Sequence, residues 1–128
     1  MSEEIQIYFD KLLLRIDGLK VITVTDRDGV ILIKSELKDF SDRVFEPTLS
    51  TTFSVVNDQA SKLGLKKNKF IISVYENHQV VHFNNAPLII TLVADSTANT
   101  GMLLNLGDEL KDVTDVIASA LSGHQDIP

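Results

Sequence analysis

The 128-residue chain contains no cysteine. Disulfide cross-links, cysteine-ligated zinc and thiol nucleophiles are excluded with it. A cysteine-free acidic chain suits the cytosol. The chain also lacks a basic surplus: 12 Lys and Arg stand against 18 Asp and Glu, for a formal net charge of −6. That balance argues against general nucleic-acid binding, which needs a basic surface to neutralise phosphates. It argues equally against direct electrostatic attachment to anionic lipid. No apolar run approaches the ~18 residues that a membrane-spanning helix needs. The opening Met1-Ser2-Glu3-Glu4 lacks the basic-then-apolar pattern of a secretion signal, and position 2 is not the glycine that myristoylation requires. Without cysteine there is no prenylation box. Any membrane role is expected to depend on another protein.

The usual carriers of chemistry are missing too. There is no GxxxxGK[ST] or GxGxxG phosphate loop and no GxSxG elbow. Of three histidines, His78 and His82 are four apart, which on a strand places both on one face. No third nitrogen, sulfur or clustered carboxylate accompanies them, and zinc wants more ligands than two. They are read as a turn histidine and a strand histidine, and His124 as part of a frayed tail. Asp26-Arg27-Asp28-Gly29 resembles the start of a calcium loop but lacks its later ligands and bidentate glutamate. It is read as a hairpin turn, glycine supplying the positive φ. Gly101, after Asn99-Thr100, could open the last helix, and Ser96, Thr97, Asn99 and Thr100 are read as turn and capping residues, ahead of an anion site at the helix start. The expectation is a non-enzymatic protein with no catalytic residue, cofactor or metal site.

Apolar residues make up 44% of the chain and recur from end to end. One domain over residues 1–128 is expected, burying roughly two-thirds of the surface its unfolded chain would expose. Ile5, Tyr8, Phe9, Leu12, Leu13 and Ile16 recur at helical spacing, so a helix is predicted over 3–16. Strands are predicted over Leu19–Thr25 and Val30–Ser35, then a charged loop over 36–46. Pro47 suits the first turn of a second helix, with Leu49, Phe53, Val56, Ala60 and Leu63 as its apolar stripe. Between Pro47 and Leu63 only Asp58 and Lys62 are charged. So little charge points to a second side covered by a partner.

Three strands follow, Lys69–Glu76, Gln79–Asn84 and Leu88–Ala94. Leu88–Ala94 hardly alternates and Phe70–Val74 is nearly as apolar, so both are expected to be buried on two faces. Lys62, Lys66, Lys67 and Lys69 form a small basic island, read as a solvated loop ahead of a docking patch for an acidic partner. The last helix is predicted over Thr100–Leu121, with Leu103, Leu106, Leu110, Val113, Ile117 and Leu121 inward. Asp108, Glu109, Asp112 and Asp115 face outward, and Gly107 is a weak point of ~1 kcal/mol relative to alanine. The order is α-β-β-α-β-β-β-α, an α/β fold with a largely antiparallel sheet between helices.

Within that order stand Asp26 to Val30 (DRDGV), Ser61 to Lys69 (SKLGLKKNK) and Ser96 to Gly101 (STANTG). Together they resemble the roadblock/LC7-like subunits of Ragulator, the scaffold of mitogen-activated protein kinase signalling on late endosomes and lysosomes. The resemblance spans about residues 3–121. It implies a five-stranded antiparallel sheet sandwiched by helices. It implies heterodimerisation with another roadblock subunit through the second helix and third strand, which joins two sheets into one. It implies a separate lipidated subunit that holds the pair on the cytoplasmic face of late endosomes and lysosomes. It implies recruitment of mitogen-activated kinases, and docking of Rag GTPases for amino-acid signalling to the target-of-rapamycin kinase. The expected interface comprises Thr52, Val55 and Gln59 on the helix, and Phe70, Ile71, Ile72, Ser73, Val74 and Tyr75 on the strand. Dynein light-chain subunits use the same fold as homodimers that bind an intermediate-chain peptide, and that alternative stays open.

Overall fold

The computed structural model describes residues 2–37, 69–85 and 87–125. The first helix, α1, runs Ser2–Leu13 with Glu3 and Glu4 in its first turn, where the helix dipole favours anions. Its buried stripe is Phe9, Leu12 and Leu13. It stops three residues short of the predicted end. The N–H groups of Leu14 and Arg15 bond back to the carbonyls of Lys11 and Leu12 at 3.2 and 3.0 Å, tightening the last turn. Ile16 is buried beyond the helix, which is why the apolar rhythm outran it. Gly18 then turns the chain at φ 93°. A Cβ at that position would lie 3.0 Å from the Ala98 Cβ.

Five strands form one sheet: β1 (Leu19–Asp26), β2 (Ile31–Glu36), β3 (Phe70–Val74), β4 (His78–Asn85) and β5 (Leu88–Asp95). Their order is β2-β1-β5-β4-β3, and every neighbouring pair is antiparallel. This is the sheet expected from the sequence. The β1–β2 hairpin closes on Asp26, whose Oδ1 accepts the N–H groups of Asp28 and Val30 at 2.9 and 3.0 Å. Gly29 takes φ 89° there. The carboxylate serves the backbone of a turn.

The strand registers put Ile22, Val24, Val81, Phe83, Ile90 and Leu92 on one face. They form a single core with α1 and with Leu103, Leu106, Leu110 and Ile117 of the C-terminal helix α2 (Thr100–Gln125). Both described helices therefore lie on the same face, α1 over β1 and β2, α2 over β4 and β5. The opposite face is also buried, with Val21, Val80 and Val93 clustered and Thr25, His82 and Thr91 beside them. The helix predicted over Pro47–Leu63, residues 38–46 of the predicted loop, and Lys62, Lys66 and Lys67 lie outside the described residues.

Several expectations need correction. β3 is not buried on two faces; it is an edge strand. The tight turn before β4 is Glu76-Asn77, closed by the Tyr75 N–H to the His78 carbonyl at 2.8 Å, so His78 opens the strand. Gly123 and His124 belong to α2, which continues to Gln125. Gly107 is a close approach: a Cβ there would fall on the ring of Phe83. Its cost in helix propensity is accepted so that a β4 aromatic can seat against the helix. Asn99 caps α2, its Oδ1 accepting the Met102 N–H at 3.1 Å, as the capping reading expected. Asp108, Glu109, Asp112 and Asp115 are exposed on its outer side.

Candidate partner-binding edge

A five-stranded open sheet has two edges, and exposed edges invite pairing with other chains. The two edges of this sheet are built differently. At β3, the Tyr75 N–H bonds the His78 carbonyl, and the Asn84 N–H bonds the Lys69 carbonyl at 2.8 Å. Antiparallel ladders alternate, so Ile71 and Ser73 also direct their backbone groups toward β4. That leaves the N–H and C=O groups of Phe70, Ile72 and Val74 pointing out of the sheet. Among the described residues no strand pairs with them.

The side chains agree. Phe70, Ile72, Val74 and Tyr75 are 41%, 37%, 78% and 48% exposed. Phe70 leans on Phe83, ring centroids 6.2 Å apart and tilted by 51°. From 70 to 74 the strand reads Phe-Ile-Ile-Ser-Val, with no charge and no proline. Such an edge is apolar, and its outward backbone groups match those of another strand. Ile71 and Ser73 are half-buried on the opposite face. The strand half of the expected interface, Phe70 to Tyr75, is thus brought together along one edge. Thr52, Val55 and Gln59 lie outside the described residues.

The histidines take different places. His82 is buried in β4, its Nδ1 sharing a 3.0 Å hydrogen bond with Thr91 Oγ1, and burial pulls its pKa down to about 4. His78 is half-buried at the start of the same strand. Among the described residues no group of three His, Cys, Asp or Glu side chains is placed to hold a metal ion.

A family model described as "Mitogen-activated protein kinase kinase 1 interacting" matches residues 3–121. This chain belongs to that family. Among curated members, the Ragulator complex protein LAMTOR3-B of Xenopus laevis is 44% identical over 121 residues, covering 94% of this chain and 98% of the relative. The Drosophila melanogaster LAMTOR3 homolog is 43% identical over 122 residues, covering 95% and 98%. The fold has distant solved counterparts as well. The gliding protein mglB of Thermus thermophilus superposes with a TM-score of 0.76 at 20% identity, covering 93% of this chain and 92% of that one. A roadblock/LC7 domain from Streptomyces avermitilis gives 0.65 at 12% identity, covering 88% and 92%. This member of the kinase kinase 1 interacting family therefore has the roadblock/LC7 fold.

Two features of this family member escaped the sequence. Gln79 is buried at the start of β4 and donates from Nε2 to the carbonyls of Asp95 and Ala98 at 3.1 and 2.9 Å. Its Oε1 accepts the Thr100 hydroxyl at 2.7 Å. It thereby fixes the β5–α2 connection, and the only signal is a glutamine beside the apolar pair Val80-Val81. Gln6 reaches from α1 to the β2 edge, and nothing in a helical apolar rhythm marks it out.

Proposed function

We propose that this chain is a non-enzymatic scaffold subunit of a Ragulator-type complex. It pairs with a second roadblock subunit through the β3 edge, together with the segment that carries Thr52, Val55 and Gln59. The observation that carries this reading is the uncharged β3 edge, which no strand among the described residues pairs with and whose outward backbone groups belong to Phe70, Ile72 and Val74. The names of the curated relatives supply the complex, and the family description supplies a mitogen-activated kinase kinase as a client. Rag GTPases and target-of-rapamycin signalling belong to the same proposal. So does placement on the cytoplasmic face of late endosomes and lysosomes by a lipidated subunit. Among the described residues no helix is long and apolar enough to cross a membrane, which is compatible with anchoring through a partner.

The test is light scattering of the purified chain, alone and mixed with a roadblock subunit of a Ragulator complex. A 1:1 heterodimer that replaces any self-association is expected. A homodimer indifferent to that subunit would overturn the proposal and fit the dynein light-chain mode instead.

A further inference from the structure

The β2 edge has the same backbone problem as β3 and a different solution. The Leu37 N–H bonds the Lys20 carbonyl at 3.0 Å, so by alternation Lys34 and Glu36 turn their backbone groups away from β1. Gln6 on α1 takes the Lys34 carbonyl, donating from Nε2 at 3.0 Å. The same nitrogen lies 3.0 Å from Asp10 Oδ1, one helical turn on. Asp10 Oδ1 in turn accepts the Ser35 hydroxyl at 2.6 Å. The side chains of Lys34 and Glu36 are charged and lie 3.6 Å apart. A helix leaning over an edge and charges along it are the devices by which soluble sheets refuse another strand. β3 has neither.

We propose that α1 guards the β2 edge, with Gln6 as the cap and Asp10 and Ser35 holding it, so that the chain offers strand pairing on one side only. A sheet open at both edges adds copies without closing and grows into a filament. A sheet with one guarded edge stops at a pair. This assigns a role to residues remote from β3, and it does not depend on what β3 binds.

The experiment uses the full chain with Ile72→Pro in every sample, which removes the outward N–H of β3 and closes that edge. On this background Gln6→Met, Lys34→Thr and Glu36→Thr are combined, removing cap and charges while keeping helix and strand propensity. Sedimentation over a concentration series is expected to show the guarded chain staying monomeric. The unguarded chain is expected to associate, its weight-average mass roughly doubling or more, as new edge pairing requires. Gln6→Met alone keeps length and helix propensity and is expected to shift the same way, more weakly. Variants with folded spectra that remain monomeric at every concentration would overturn the guard. Should the triple variant unfold, Gln6→Met alone decides between the two results. Because β3 is closed throughout, failure here is distinguishable from failure of the β3 pairing.

Discussion

Replacing Gln79 with Leu keeps its volume and removes its three hydrogen bonds to the β5–α2 connection. The Ala98 carbonyl and the Thr100 hydroxyl lose the glutamine in a part-buried setting, while the Asp95 carbonyl keeps the Ala98 N–H at 3.0 Å. A loss of about 3 kcal/mol in urea unfolding is expected, since each orphaned polar group costs roughly 1–3 kcal/mol when desolvated. Gly107→Ala sets two effects against each other. Helix propensity alone predicts a gain of about 1 kcal/mol. The Phe83 ring occupies the space the methyl needs, so net destabilisation of about 1–3 kcal/mol is expected in the same assay. His82 makes stability depend on pH. The unfolded residue protonates near its ordinary pKa of 6.5, the folded one only near 4. Above pH 6.5 both states are neutral and the stability is complete. As pH falls toward 4 the unfolded chain binds a proton that the folded chain refuses. About 2 kcal/mol should be lost between pH 7.5 and 5, and His82→Gln should flatten that slope in unfolding titrations.

At the scale of elements, the two sheet edges are built differently, and the proposed pairing uses the β3 edge. Val74→Asp places a charge on the most exposed apolar side chain of β3. It should leave the fold intact and weaken heterodimer formation by about 2 kcal/mol, roughly 30-fold, as for an interface hot spot; titration calorimetry checks both affinity and stoichiometry. Much of this architecture was legible. The Asp28-Gly29 turn, the two-faced burial of β5 and the stripe Leu103, Leu106, Leu110 and Ile117 each have a local periodic cause. What escaped depends on contacts distant in sequence. β3 reads as apolar as a central strand because its composition does not mark it as an edge, and only topology does. Gly107 reads as a flaw because the Phe83 ring that needs it is 24 positions away. Gln6 and Ser35 meet through Asp10 across α1 and β2, where no spacing rule reaches.

For the whole molecule, the exposed apolar residues of β3 stand against an acidic outer side of α2, where Asp108, Glu109, Asp112 and Asp115 face solvent with Lys111. Arg15 ties the end of α1 to that helix through a two-pronged pair with Glu109 at 3.0 and 2.8 Å, and this bond raises the Arg15 pKa. α1 therefore lies between α2 and the β2 edge, and among the described residues β3 is the sheet edge whose strand carries no charge. Covering that edge with a second sheet should bury at least ~1,200 Å² in total. The complex should then melt at a temperature that rises with subunit concentration, as mass action requires when only the folded state binds; thermal scans at several concentrations read this directly.

Amide hydrogen exchange of the chain, free and mixed with a roadblock subunit, tests the central claim most directly. The N–H groups of Phe70, Ile72 and Val74 should exchange rapidly in the free chain and become protected in the complex, while the amide of Glu36 on the β2 edge is unchanged. A complex that forms without protecting the β3 amides would show that this edge is not where the chain meets its partner.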